Sequence, residues 1–198
     1  MSLETELAAT RGPLPAAPDV GALAAAEGLL DLSVARMHLP VGDVILAATD
    51  RGLAAIHYLT LEDEDAVLGH LAAAFGPRIF FDDDPTARAR RQLSEYFEGT
   101  RTTFDVPVDL ATLTGFQRDV LDACAAIPFG AVSTYGDLAG DIGRPRANRA
   151  VGNALGANPV PIVIPCHRVL RTGGNLGGYT GGVQVKARLL EHEGVVTA

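Results

Sequence analysis

The stretch NPVPIVIPCHRVL, residues 158–170, sets Cys166, His167 and Arg168 side by side behind three prolines. Pro159, Pro161 and Pro165 each fix φ and remove a backbone donor, so VPIVIP is expected to be a stiff, mostly buried, extended segment. Cys166 would then leave the core at a rigid point, suited to holding one side chain in one place. A free thiol has a pKa of about 8.5, and only its thiolate is a good nucleophile. His167 as a base, or Arg168 as a positive charge, could raise the reactive fraction. A protease-like Cys–His dyad fits poorly, because neighbours on an extended chain point to opposite sides. Zinc also fits poorly. The two cysteines, Cys124 and Cys166, lie far apart and no Cys/His cluster has ligand spacing. Two readings stand on the residues alone: a positioned nucleophile, or a second core cysteine like Cys124, which falls on the apolar stripe Phe116, Val120, Leu121, Cys124, Ile127.

A second set of residues lies just upstream. STYGDLAGDIG, the turn GRPRA and ANRAVGNALGAN read as two short helices around a turn, a helix-turn-helix pattern. Ser133 or Thr134 can cap the first helix, whose buried face is Leu138, Ala139 and Ile142. Ala147, Val151 and Leu155 form the inner stripe of the second. Its other face carries Asn148, Arg149, Gly152 and Asn153, which offers donors to phosphates or base edges and lets a backbone come close. Residues 140–190 hold seven basic side chains (Arg144, Arg146, Arg149, Arg168, Arg171, Lys186, Arg188) against Asp141 alone. The net charge of −8 hides this patch: residues 1–110 carry a net −10 and residues 111–198 a net +2.

The elements that must position these groups follow from periodicity. Residues 1–32 read as an N-terminal extension with at most one short helix. Residues 33–110 read as an α/β scaffold domain, a small antiparallel sheet with helices. SVARMHLPVGDVILAATDRGLAAIHYL supplies three strands, with turns at Gly42-Asp43 and Asp50-Arg51-Gly52. EDEDAVLGHLAAAF and DPTARARRQLSEYFEG read as helices, and residues 102–110 as an extended linker. Residues 111–198 read as a mainly helical, winged-helix-like domain. No run is apolar enough to span a bilayer, the acidic N-terminus lacks signal-peptide features, and two cysteines make no disulfide framework. These features point to a cytoplasmic protein that does not engage membranes.

The signature PCHRV behind NPVPIVI resembles that of O6-alkylguanine-DNA alkyltransferases, also called methylated-DNA–protein-cysteine methyltransferases. The likeness runs almost without gaps over residues 116–194, from FQRDVLDACAAIPFG to GGNLGGYTGGVQVKARLLEHEG. It is looser over residues 33–110. It implies direct-reversal repair: a damaged guanine is flipped out of duplex DNA and its alkyl group passes irreversibly to Cys166 in a single turnover. It implies that His167 is the general base, acting through a water, and that Glu193 orients the imidazole. By the same resemblance Tyr135 donates to the flipped base, Arg149 fills the vacated stack and Asn158 braces the turn. Ala147, Asn148, Gly152 and Arg146 would meet DNA beside Arg149. Leu155, Tyr179, Thr180 and Val169 would line the base pocket. No cofactor and no metal are implied, since the cysteines that hold zinc in some members are missing. The implied partner is double-stranded DNA carrying O6-alkylguanine, with O4-alkylthymine as a second lesion, met by a monomer. The chain has no tryptophan, where many members carry one near Leu121 and Asp122. The alternative is a non-catalytic winged-helix or lesion-sensing protein, and Cys166 is the feature that separates the two.

Overall fold

Alternating apolar residues and tight glycine turns fold the first part of the chain into a three-stranded meander. In the computed structural model, which describes residues 27–195 together with Gly21, Leu23 and Ala24, β1 spans Leu32–Leu39, β2 Gly42–Thr49 and β3 Gly52–Tyr58. Register runs from Leu39 opposite Gly42 and from Thr49 opposite Gly52, with a bulge at Ala47/Ala48. A short β4, Ile79–Phe81, joins the outer edge of β1 in parallel, so the sheet order is β3-β2-β1-β4 and the sheet is mixed. Three residues are too few for an alternating pattern, and a parallel partner needs a crossover. That crossover is α1, Glu64–Phe75, capped by Asp63, whose side chain accepts from the Ala66 N–H at 2.8 Å. The helix expected from residue 84 begins as a 3₁₀ turn over Asp84–Thr86, where Pro85 lies in the first turn, and becomes α2 over Ala87–Phe97.

The sheet is covered on both faces. Ile45, Ala47 and Ala54 pack with Leu32 and Val34 against Val67 and Leu71 of α1. The opposite face, with Val44, Leu46, Leu53, Ile56 and Tyr58, joins Leu93 and Tyr96 of α2 in a core that continues into the second half of the chain. There α3 (Gly115–Ala125) contributes Val120, Leu121 and Cys124, all fully buried, so Cys124 is a core residue as its stripe suggests. Thr114 and Gln117 cap α3 reciprocally. Strand β5 (Ser133–Thr134) leads into α4 (Tyr135–Asp141), where Thr134 and Asp137 repeat the reciprocal cap. The turn 142–147 separates α4 from α5 (Asn148–Gly156), which buries Val151, Ala154 and Leu155; Ala147 stands at its N-cap. A 3₁₀ turn over Cys166–Arg168 enters β6 (Val169–Leu170), parallel to β5. The last helix, α6, spans Val183–His192. The short helix read within residues 1–32 lies mostly outside the described residues.

Candidate active site

Asn158, the residue after α5 and Ala157, organises the approach to Cys166. Its side-chain amide donates to the carbonyl of Ile164 at 2.9 Å, and its oxygen accepts from the Val160 N–H at 3.1 Å. Those bonds close the segment 158–164 on itself. The extended strand expected for VPIVIP is therefore a tight turn: the Ile164 N–H reaches the Val160 carbonyl at 3.0 Å, and Ile162 sits at φ 74°. A β-branched residue in the left-handed region costs about 1–3 kcal/mol and persists only where its surroundings over-determine it. Here Ile162 is fully buried and the Asn158 bonds bracket it. Three prolines stiffen a turn as well as a strand, and the partner that decides between them is a side chain rather than a propensity.

The turn delivers Cys166 to the first position of the 3₁₀ turn, with 6% of its surface exposed. Burial pushes the thiol up to about 11, against the pull of the Asn158 amide, Lys186 and the cysteine's own N–H. The Asn158 amide lies 3.1 Å from Sγ. His167 is fully buried, and its Nε2 donates to Glu193 Oε1 at 2.8 Å. That bond leaves Nδ1 as the basic nitrogen, and Nδ1 has no protein partner. Burial lowers the His167 pKa and outweighs the opposing pull of Glu193, so the imidazole rests neutral.

Glu193 follows α6 and is the hub. Arg168 grips it with two bonds, Nε to Oε2 at 2.8 Å and Nη2 to Oε1 at 2.9 Å. Tyr96 Oη donates to Oε1 at 2.8 Å and the Gly130 N–H to Oε2 at 3.2 Å. Burial alone would raise this carboxyl; the bonds from His167, Arg168 and Tyr96 overcome it and hold it at about 2. Lys186, also fully buried, donates to the Val169 carbonyl at 2.5 Å, and burial brings its ammonium down to about 8. Two members of the seven-residue basic patch, Arg168 and Lys186, are thus interior groups. They read as surface charges because their partners, Glu193 and the Ile127 and Val169 carbonyls, are distant in sequence.

Cys166 opens onto a cleft of about 330 Å³ lined by Tyr135, Gly152, Leu155, Tyr179 and Thr180, together with Gly156 and Gly178. Leu155, Tyr179 and Thr180, expected in the base pocket, are among its lining residues. Val169 is not: its side chain is fully buried in β6, away from the cleft, because the parallel pairing with Ser133 turns it into the core. Asn148, Arg149 and Gly152 border an adjoining open depression with Arg171 and Thr172, and Tyr135 and Gly152 belong to both. Arg146 and Ala147 line a separate shallow surface with Arg144 on the turn before α5. Among the described residues no three His, Cys, Asp or Glu side chains converge to hold a metal ion. Tyr58 and Tyr96 from the first half of the chain are site neighbours that no sequence signal marks.

Family models for the 6-O-methylguanine DNA methyltransferase ribonuclease-like domain and DNA binding domain match residues 34–110 and 115–195. A methylated-DNA–protein-cysteine methyltransferase of Methanosarcina acetivorans is 37% identical over 156 residues, which are 78% of this chain and 94% of that protein. The chain belongs to the 6-O-methylguanine DNA methyltransferase family. A Mycobacterium tuberculosis relative with the same name is 45% identical over 68% of this chain and 85% of its own length. The inducible Bacillus subtilis family member is 46% identical over 118 residues, 60% of this chain and 65% of that protein. Among solved structures of the family, M. tuberculosis O6-methylguanine methyltransferase superposes with a TM-score of 0.71 at 38% identity, covering 82% of this chain and 92% of the other. The M. tuberculosis OGT in complex with DNA gives 0.70 at 37% identity, covering 81% and 92%. These family structures share the small mixed sheet with helices and the helical domain that follows it.

Proposed function

We propose that this protein repairs O6-alkylguanine in double-stranded DNA by moving the alkyl group to Cys166, once per molecule. The observation that carries the reading is the seat of Cys166: it lines a cleft, the next residue, His167, is buried and bonded to Glu193, and Gly152, Leu155 and Gly156 of α5, the helix that bears the exposed Arg149, line the same cleft. His167 Nδ1 takes the thiol proton through a bridging water, and the imidazolium formed is stabilised by Glu193. The thiolate, with the Asn158 amide on its sulfur, attacks the alkyl carbon. The bond from that carbon to guanine O6 breaks, Tyr135 donates a proton to the departing base, and the proton taken up by His167 passes through water to the tyrosinate, which restores both groups. The product is a thioether with no group able to release it, which makes the turnover single. A thiol that rests neutral is shielded from stray oxidants, and the base beside it supplies the thiolate only when a substrate fills the cleft.

Arg149 enters the stack as the lesion flips out, with Asn148, Gly152, Arg146 and Ala147 along the DNA. O4-alkylthymine offers the same alkyl–oxygen bond on a smaller ring and is a second substrate. In this reading the protein acts as a monomer. Residues 33–110 act as the supporting domain, 111–198 as the DNA-binding alkyltransferase domain, and 1–32 as an extension. Among the described residues no helix is long and apolar enough to cross a membrane, and a reduced cytoplasm suits a working thiol. The test is intact-mass and peptide mapping after incubation with duplex DNA containing O6-methylguanine. One added methyl on Cys166 is expected. Cys166→Ser should bind the same duplex and gain nothing, and a serine variant that still clears lesions would refute the assignment.

A further inference from the structure

We infer that Tyr58, on strand β3, is a positioning residue that fixes the Tyr179 wall of the Cys166 cleft and thereby sets how large a group the cleft accepts. The inference rests on the alkyl-transfer reading above. Tyr179 lies in the stretch TGGNLGGYTGG, residues 172–182, which has six glycines and no helix or strand. Such a chain has many accessible conformations and cannot by itself hold an aromatic ring in place. Its own backbone bonds are few: Arg171 N–H to Asn175 O at 2.8 Å, Gly174 N–H to Arg171 O at 3.1 Å, and Gly182 N–H to Tyr179 O at 3.0 Å.

Tyr58 supplies what the loop lacks. Its hydroxyl is 3.0 Å from the Tyr179 hydroxyl, and the two rings meet edge to face with centroids 6.2 Å apart. The loop backbone also rests on the Tyr58 ring: a Cβ added to Gly181 would come within 2.7–3.0 Å of three of its atoms. Tyr58 is itself immobilised, being 4% exposed and on a strand whose Ile56 N–H donates to the Pro159 carbonyl at 2.8 Å. Pro159 belongs to the turn that delivers Cys166. One strand therefore ties both sides of the cleft, the thiol through Pro159 and the opposing wall through Tyr179. Burial keeps both phenols protonated, so one can always donate to the other. Tyr179 also stands edge-on to the His167 ring, with centroids 6.3 Å apart, so its displacement changes the shape of the cleft beside the base.

The test compares wild type, Y58F, Y179F and the double variant in single-turnover transfer from two duplexes, one with O6-methylguanine and one with O6-benzylguanine. Adducts on Cys166 are read by mass spectrometry. A phenol pair of this kind contributes enough that its loss should slow methyl transfer about fivefold. The bulky benzyl group gains from a wall free to move, so the benzyl-to-methyl rate ratio should rise in Y58F with duplex affinity unchanged. Y179F should shift the ratio the same way, and the double variant should add little, because both single changes break one bond. A ratio unchanged in Y58F, or single shifts that add independently, would overturn the inference while leaving the repair reading intact. No adduct on the wild-type protein with either duplex would overturn both.

Discussion

Glu193 Oε1 is shared by three donors: His167 Nε2, Arg168 Nη2 and Tyr96 Oη. Each donor beyond the imidazole draws on the charge that would otherwise stabilise an imidazolium. Burial, helped by the nearby charges of Arg168 and Lys186, keeps the His167 pKa below its ordinary value of 6.5 against the pull of Glu193. The sign of the pH dependence follows. The free base is the working form, so the transfer rate should hold as pH falls to 6.5 and decline only below it. Tyr96→Phe keeps the ring and removes one donor, which leaves more charge facing His167. Its inflection should move up toward the ordinary imidazole value. Arg168, Lys186 and the Tyr179 ring are the other groups around His167, and all are unchanged in that variant. Rate against pH on one methylated duplex checks this, and coincident profiles for the two proteins would show that Tyr96 does not tune the base. Residue type alone left the Cys–His–Arg triplet between a positioned nucleophile and a core cysteine, and only the family resemblance chose the first. Glu193 as the partner of His167 likewise came from the resemblance and not from residue type, because it lies 26 positions on and nothing local singles it out.

At the scale of elements, the strands and helices were readable wherever one face is buried, since alternation marked β1 to β3 and the i, i+4 stripe marked α3 and α5. The segment that matters most was not. VPIVIP becomes a turn because the side chain of Asn158 satisfies two backbone groups along it, the Val160 N–H and the Ile164 carbonyl, a tertiary decision that overrides the extended preference of the prolines. Asn158→Ala should therefore cost more than its size suggests. It leaves the Val160 N–H and the Ile164 carbonyl buried without their partner and withdraws the amide from Sγ, a loss of about 2–4 kcal/mol. Urea unfolding should register that loss, and transfer should slow further at denaturant-free concentrations where the variant is folded. The neighbouring element gives a contrasting case. Arg149 is exposed on α5 and is not among the residues that line the Cys166 cleft. Arg149→Ala should leave stability and transfer from free O6-benzylguanine almost unchanged, yet slow repair of duplex DNA roughly tenfold or more, since the inserted side chain offsets part of the few kcal/mol lost on unstacking. Equal losses on both substrates would assign Arg149 to the pocket instead of to base flipping.

Across the whole molecule, the two halves share one core, and the first half reaches the site through Tyr58 and Tyr96. Reading that half as a scaffold with no chemistry followed from its lack of motifs; contacts made by single tyrosines across a core leave no pattern in the chain. Burial also revises the electrostatics. Of the seven basic residues in 140–190, Arg168 is locked to Glu193 and Lys186 to Val169 O. Arg149 and Arg171 border the depression beside the cleft, and Arg144 and Arg146 sit on the turn before α5. The seventh, Arg188, lies elsewhere, on a surface with Val41 and Thr60, so these four are the cations available to phosphates on that side. Each phosphate neutralised releases condensed counterions, so four contacts predict a slope of about −3 to −4 in log K against log salt. Affinity for an undamaged duplex should fall roughly a hundredfold between 50 and 200 mM salt. Had all seven cations met DNA, the slope would approach about −6. The acidic half, net −10 over residues 1–110, repels the duplex at long range, and this repulsion is strongest at low salt where screening is weak. The plot should therefore flatten at its low-salt end. Fluorescence anisotropy across a salt series measures both features, and a slope near −6 would mean that Arg168 and Lys186 leave their buried partners when the protein binds.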